Sequence, residues 1–232
     1  MPAAPDLRKI VARLAAHYGK PKAPITTDPF ELVLLENVGY LVSQKRREEA
    51  FTLLREYAGT KPHEILAAAP EKLLRATSLG GMHPEQRVNR LREIALIAMG
   101  EFGGDLSQVL KLSLAKAKHA LRKFPSIGEP SAEKILMFTR SYPVLGLDSN
   151  GLRVLLRLGF GEEKKNYAAA YRSVQEAVAR QLKEDYEWLI SAHTLLRQHG
   201  KELCKTNAPL CDKCPVRKSC AYFKKLGAVA PP

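Results

Sequence analysis

All four cysteines of this 232-residue chain lie within residues 204–220, spaced Cys204-x6-Cys211-x2-Cys214-x5-Cys220. Cysteines concentrated in this way predict a metal site, because four thiolates suit zinc or an iron–sulfur cluster. Disulfides are the less favoured alternative, since they persist in oxidising compartments and no signal-peptide pattern precedes the first helical segment. Zinc and iron–sulfur clusters both bind thiolates, so the type of ligand does not decide between them. The wide first spacing differs from the paired spacings of zinc fingers and favours a cluster.

The charge of the chain favours a polyanionic partner. Lys and Arg number 37 against 24 Asp and Glu, which gives a formal net charge of +13 and a pI of about 9.7. Nucleic acid is the commonest polyanion, and a generally basic surface is the alternative. No run of 18 apolar residues occurs, so no membrane span is expected. We therefore expect an intracellular protein, in a cytoplasm with its nucleoid or in a nucleus.

The hydrophobic pattern is helical almost throughout, which predicts an all-α protein of one large or two small domains. Apolar residues recur at helical spacing and strand signals are scarce. A helix start is clear at Asp28-Pro29, with aspartate as N-cap and proline in the first turn. The predicted helices cover residues 7–18, 30–43, 47–57, 62–68, 70–76, 84–102, 113–123, 130–141, 151–158, 166–182 and 186–199. Residues 227–232 are expected to be disordered.

A short Pro/Gly loop, Phe124-Pro125-Ser126-Ile127-Gly128, separates two of the predicted helices. Such a loop directs backbone N–H groups outward at a helix N-terminus, where they can hold a phosphate without reading base sequence. Turns of this kind are common between helices, so a purely structural loop is the alternative. A second polar feature, Asp148, ends an apolar segment and precedes a helix. It is predicted to be that helix's N-cap and to stay ionised there.

At this point the chain resembles the endonuclease III branch of the helix-hairpin-helix DNA glycosylases. The hairpin at 125–128, Asp148 and the 6-2-5 cysteine spacing occur in the family's order and at its distances, and Pro29 opens the family's first barrel helix. The resemblance covers about residues 25–222. It implies a two-lobed all-α fold. A six-helix barrel would span 28–140, and a second helical lobe would combine 1–27 with 141–232.

The resemblance also implies partners and cofactor. The cysteine loop at 204–220 would hold a [4Fe-4S] cluster through its four thiolates. The partner would be double-stranded DNA with a damaged or mismatched base, bound by a monomer. The hairpin residues Ser126, Ile127 and Gly128 would contact one strand's phosphates, and Asp148 would be the catalytic carboxylate.

Three departures from the family pattern concern the hairpin and the catalytic aspartate. Bifunctional members place a nucleophilic lysine two residues after the second hairpin glycine, and here that residue is Pro130. Lys134 lies one turn further along, and a solvated or phosphate-contacting lysine is the preferred interpretation of it. Ser126 replaces the first hairpin glycine. The segment Asp148-Ser149-Asn150 resembles the Asp-x-Asn of monofunctional adenine- and thymine-mismatch glycosylases.

Glu36 is a lone acid on an apolar helix, and the resemblance places it at the catalytic glutamate of the adenine-mismatch enzymes. Its alternative is a buried structural glutamate bonded to an arginine or a helix end. Apolar surroundings predict a raised pKa, which would make Glu36 a proton donor near neutrality. Leu41, expected one turn beyond it on the same helix, matches the family's wedge position, with a core leucine as the alternative.

The sequence therefore predicts a monofunctional DNA glycosylase that flips out a base and hydrolyses its N-glycosidic bond with Asp148 and Glu36. Two alternatives remain open. One is a non-catalytic protein that binds DNA damage or unusual DNA structure, and the other is a bifunctional glycosylase and lyase that uses Lys134. The excised base is not predicted. Tyr40, Tyr57 and His83 are candidates for lining a base pocket, and core or surface positions are their alternatives.

Overall fold

The computed structural model describes residues 5–229, and its regular elements are helices. The all-α prediction is thus confirmed. The α-helices are α1 Leu7–Tyr18, α2 Pro29–Val38, α3 Gln44–Tyr57, α4 Pro62–Ala67, α5 Pro70–Leu79, α6 Pro84–Phe102, α7 Leu114–Leu121, α8 Glu129–Phe138, α9 Ser149–Leu158, α10 Tyr167–Ala179, α11 Tyr186–Glu202 and α12 Ala221–Val229. Short 3-10 segments occur at Ser107–Lys111, Cys211–Lys213 and Arg217–Ser219.

The clearest error in the predicted helices is the end of α2. The apolar run predicted a helix to residue 43, whereas α2 ends at Val38 and Gly39 adopts extended backbone. Tyr40 instead donates its N–H to the Gly80 carbonyl at 2.8 Å and forms an isolated β-bridge with Gly81. In the tail, where disorder was expected, residues 227–229 continue α12, and residues 230–232 lie outside the described range.

The chain divides into two compact units. We call Pro24–Tyr142 the hairpin unit, and Met1–Ala23 with Pro143–Pro232 the cysteine unit. The sequence led us to expect the division at 28–140. The hairpin unit holds seven α-helices among its described residues, α2 to α8, where the resemblance implied six.

The hairpin unit is built around α2. This helix begins with Asp28 as N-cap, whose side chain accepts the Glu31 N–H at 2.9 Å, and with Pro29 in its first turn, as predicted. Its apolar side chains are buried on most of its surface, and it packs against α3, α6 and α8. A helix covered on several sides presents little of itself to water. Glu36, which lies on α2, is therefore held by the helices around it.

The cysteine unit is built around α9 and α11, which pack closely together. Helix α1 packs against α11. Helices α10 and α12 pack against α9. Gly200 marks the closest approach, because a Cβ there would lie 2.7 Å from the Asn150 carbonyl oxygen. This contact brings the last turns of α11 onto the first turn of α9, where Asp148 is the N-cap. No described helix is long and apolar enough to cross a membrane.

Candidate active site and metal centre

Asp148 caps α9, as the sequence predicted. Its Oδ1 accepts the backbone N–H groups of Asn150 at 3.0 Å and Gly151 at 2.8 Å, and its Oδ2 accepts the Asn150 side-chain amide at 3.2 Å. The side chain is 18% exposed. The carboxylate is thus fixed in orientation while part of it remains open to a ligand.

A cation from α11 completes the surroundings of Asp148. Arg197 donates from Nε to Asp148 Oδ2 at 3.0 Å. Burial raises the pKa of Asp148, but the Gly151 N–H, His193, Arg197 and the Asn150 amide together lower it below its ordinary value. Asp148 is therefore a carboxylate at neutral pH. Arg197 and His193 carry no motif in the sequence, and only the packing of α11 on α9 brings them to this site.

A hydrogen-bonded chain continues from Asp148 to the first cysteine. Asn150 Oδ1 accepts from Arg153 Nη2 at 3.0 Å, and Arg153 donates from Nε to the Cys204 carbonyl at 2.9 Å and from Nη2 to the Gly200 carbonyl at 2.7 Å. Arg153 thus ties the end of α11 and the start of the cysteine loop to the first turn of α9. Sequence reasoning missed this role, because one arginine on an amphipathic helix gives no sign of its partners.

Glu36 occupies a different environment from the one expected. Its Oε2 accepts Lys134 Nζ at 2.7 Å and the Ser131 hydroxyl at 3.1 Å, and its Oε1 lies 3.8 Å from Arg47 Nη1. Burial raises the pKa of Glu36, but Lys134, Arg47 and the two hydrogen bonds outweigh burial and lower the pKa to about 2. The predicted raised pKa is therefore wrong. Glu36 is an anion near neutrality, bonded to two cations rather than surrounded by apolar groups alone.

Lys134 is also not the solvated lysine that we expected. Its side chain is 13% exposed and its ammonium group is engaged with Glu36. The amine is thus hydrogen-bonded to a carboxylate and is not free to attack a sugar carbon. The expectation of a solvated lysine is thus wrong, and contact of Lys134 with a DNA phosphate stays a prediction.

The hairpin has the predicted helix–loop–helix form. Ser126 is exposed and has φ 62, a left-handed conformation that a glycine would adopt without strain. The Ile127 side chain is buried at 4% exposure and its N–H donates to the Phe124 carbonyl at 3.2 Å, so Ile127 anchors the loop. Gly128 is exposed and is the N-cap of α8. Ser126 and Gly128 are thus the accessible members of the predicted phosphate contact.

The expected wedge residue lies in a loop and not on α2. Leu41 has φ 54 and is 76% exposed, so its alternative as a core leucine is wrong. The bridge between Tyr40 and Gly81 holds this loop beside the α5–α6 connection, where Met82 is 54% exposed. Gly81 has φ 104 and a Cβ there would lie 2.6 Å from the Tyr40 carbonyl oxygen, so the close pairing requires glycine. Sequence reasoning missed Met82.

The three candidates for a base pocket are exposed. Tyr40 is 54% exposed and Tyr57 is 36% exposed beneath the guanidinium of Arg75, which lies 4.1 Å from its ring centroid. His83, also exposed, has φ 53 and precedes α6. Their alternative as core residues is therefore wrong, and a role in base recognition stays a prediction.

The four cysteines are free thiols that line one cavity of the cysteine unit. Among the described residues, no three His, Cys, Asp or Glu side chains converge closely enough to hold a single metal ion. Four thiols around one cavity are a donor set that both iron–sulfur clusters and zinc use. Burial and the neighbouring thiols raise the pKa of Cys214 to about 11, and a bound metal would favour its thiolate form. The donor set therefore fits an iron–sulfur cluster.

Two polar side chains approach the cysteine sulfurs. His199 Nε2 lies 3.5 Å from Cys214 Sγ, with its Nδ1 3.0 Å from the Tyr18 hydroxyl. Arg157 donates to Cys204 Sγ at 3.4 Å and to the carbonyls of Lys205 at 2.6 Å and Thr206 at 2.9 Å. An arginine that donates to a sulfur stabilises the thiolate form, and such a neighbour is typical of the surroundings of a metal centre.

No family model matches the chain. Two known proteins of similar sequence nevertheless align with 85% or more of its length. Endonuclease III of Thermotoga maritima is 26% identical over 220 residues, which cover 95% of this chain and 92% of that protein. Endonuclease III of Sulfolobus acidocaldarius is 27% identical over 203 residues, with coverage of 85% and 84%.

Solved structures show the same fold. A trapped endonuclease III–DNA covalent intermediate matches with a TM-score of 0.75 at 19% identity, covering 98% of this chain and all of that chain. A thermostable thymine-DNA glycosylase matches with a TM-score of 0.73 at 17% identity, covering 95% and 97%. The fold is that of the helix-hairpin-helix DNA glycosylases, and the sequence similarity to endonuclease III over 95% of the chain supports its place in that superfamily. Within it, the chain is similar to endonuclease III.

Proposed function

We propose that this DNA glycosylase of the endonuclease III family is monofunctional. It would hydrolyse the N-glycosidic bond of a damaged or mismatched base in base excision repair and leave the DNA strand intact. The observation that carries this proposal is Pro130, in the first turn of α8 two residues after Gly128. Proline has no amine side chain there, and the amine of Lys134 is bonded to Glu36 at 2.7 Å.

Asp148 is the proposed catalytic carboxylate. Breaking the bond between base and deoxyribose develops positive charge on the sugar, and an oriented anion stabilises that charge. The lowered pKa of Asp148 keeps it ionised, and its partners on α9 and α11 fix its direction. Such a carboxylate can also orient the water that attacks the anomeric carbon.

Glu36 is the second proposed catalytic residue, in a role changed from the expected one. With a pKa near 2 it cannot act as the proton donor at neutral pH. A carboxylate that is 22% exposed can still stabilise positive charge that develops near it. We therefore assign Glu36 an electrostatic role.

The reaction requires the nucleotide to leave the stacked duplex. Leu41, at an exposed loop tip, is the proposed wedge that fills the gap, and Met82 lies on the neighbouring loop. Ser126 and Gly128 are the proposed phosphate contacts, with Lys205, Lys213 and Lys218 as further exposed cations around the cysteine loop. The enzyme is proposed to act as a monomer on double-stranded DNA.

Cys204, Cys211, Cys214 and Cys220 are the proposed ligands of a [4Fe-4S] cluster. When bound, the cluster would fix the loop at 204–220 and would contribute no hydrolytic chemistry. Arg153 and Arg157 attach this loop to α9 through backbone carbonyls, so the loop and the surroundings of Asp148 belong to one hydrogen-bonded assembly.

A panel of duplexes, each with one modified or mismatched base, tests the proposed function. Purified protein is incubated with each duplex and abasic sites are revealed by alkali. Release of at least one base, lost in Asp148→Asn, supports a glycosylase. Tight binding of a lesion with release of no base would support the non-catalytic alternative.

A further inference from the structure

The ion pair formed by Glu36 and Lys134 is partly buried and lies within the hairpin unit. Lys134 on α8 reaches Glu36 on α2 at 2.7 Å, and Ser131, three residues earlier on α8, donates to the same carboxylate oxygen at 3.1 Å. The side chains of Glu36 and Lys134 are 22% and 13% exposed. The pair is thus shielded enough for a strong interaction and open enough to face a ligand.

Cations surround Glu36 from two sides. Besides Lys134, α3 contributes Arg47, whose Nη1 lies 3.8 Å from Oε1. The helix α6 also packs against α2, and its buried Arg87 directs its guanidinium to the backbone carbonyls of Thr77 and Gly81. Glu31, the other acid of α2, is bonded to its own partners near the start of the helix. The charged groups that face Glu36 in the described contacts are therefore both positive.

We propose that Lys134 is a positioning residue that keeps Glu36 a carboxylate over the working pH range. As a consequence, the enzyme removes those bases whose departure does not require Glu36 to donate a proton. The proposal rests on the proposed glycosylase function. It names a class of leaving group, and it gives Lys134 a purpose that neither phosphate contact nor lyase chemistry supplies.

The chemistry of the leaving group gives the proposal its consequence. When the N-glycosidic bond breaks, both electrons stay on the base nitrogen and C1′ takes the hydroxyl of water. A carboxylate accepts the proton of that water and later releases it to solvent. A pyrimidine can leave as an anion with its charge spread over its carbonyl oxygens, and an alkylated purine cation leaves neutral. Unmodified adenine needs a proton on a ring nitrogen before it leaves, and an anionic Glu36 has none to give.

A titration of Glu36 tests the proposal without DNA. The carboxyl carbon of Glu36 is followed by NMR in protein labelled with ¹³C-glutamate and is assigned by its loss in Glu36→Gln. We expect the wild-type signal to stay constant from pH 8 to about pH 4. In Lys134→Met the cation that opposes the effect of burial on the pKa of Glu36 is lost, so the signal should titrate at a higher pH. Lys134→Arg keeps a cation there and should behave as wild type. Titration of wild-type Glu36 near neutrality would overturn the proposal.

Single-turnover excision supplies the second readout. For the best substrate of the duplex panel, we expect no ionisation of Glu36 in the wild-type rate profile between pH 5 and 8, and a new inflection in Lys134→Met that Lys134→Arg does not show. Lys45→Met is the matched control, since Lys45 is an exposed lysine of the same unit. Preference for unmodified adenine, or unchanged profiles in Lys134→Met, would refute the role of Lys134. Release of no base at all would instead refute the glycosylase function.

Discussion

Arg197 Nε lies 3.0 Å from Asp148 Oδ2, while Asp148 Oδ1 accepts two backbone N–H groups of α9. One oxygen is therefore held by a helix N-terminus and the other by a guanidinium from α11. The combination stabilises the anion more than either partner alone, because both favour the charged form. It also restricts the direction in which the carboxylate can act.

Replacing Asp148 with asparagine should separate binding from chemistry. Asparagine is a good N-cap but loses the ion pair with Arg197, so Asp148→Asn should fold with a moderate loss of stability. Without the anion, excision in single-turnover assays should fall by about 10²-fold or more, while lesion DNA is bound at least as well in an anisotropy titration. An excision rate within a few-fold of wild type would show that another group stabilises the transition state.

The wedge role of Leu41 can be measured because the residue is 76% exposed. Leu41→Ala should change the free energy of unfolding by less than about 0.5 kcal/mol, as is usual for surface substitutions. It should slow base flipping, followed by the fluorescence of 2-aminopurine placed beside the lesion. Leu112→Ala, at another exposed leucine of the same unit, is the control. Equal flipping in both variants would exclude Leu41 as the wedge.

The cysteine loop should carry iron. Natively purified protein should be yellow-brown with about four iron atoms per chain, as a cubane held by four thiolates requires. Cys211→Ser should reduce iron content and cost folding or DNA affinity more than it costs the chemical step of the remaining folded protein. Stoichiometric zinc without iron would contradict the cluster, despite the arrangement of the four thiols around one cavity.

Pro130→Lys should create the lyase activity that wild type is predicted to lack. The substitution places an amine two residues after Gly128, and Pro130 lies in the first turn of α8, where lysine is tolerated. The variant should form a covalent adduct with lesion DNA that borohydride traps, the signature of a Schiff base. Failure of a folded, DNA-binding variant to trap would show that position 130 does not determine this difference.

The sequence predicted the elements with strong local signals. Helix α6 was predicted with its correct bounds, because proline begins it and a long apolar repeat continues to Phe102. The end of α2 was not predicted correctly, because apolar residues continue past Val38. A long-range hydrogen bond from the Tyr40 N–H to the Gly80 carbonyl takes the backbone out of the helix there. The surroundings of Glu36 were missed for a similar reason. Its partners Lys134 and Arg47 are distant in sequence, and only packing reverses the expected shift of its pKa.

The state of the DNA strand after base release tests the central claim most directly. Wild-type protein is incubated with its best substrate from the duplex panel, and half of each sample is treated with alkali before denaturing electrophoresis. A monofunctional glycosylase leaves intact abasic strands, so we predict cleavage only in the alkali-treated half and no adduct after borohydride treatment. Strand cleavage without alkali, together with an adduct that Lys134→Met abolishes, would identify Lys134 as a nucleophile and contradict the account.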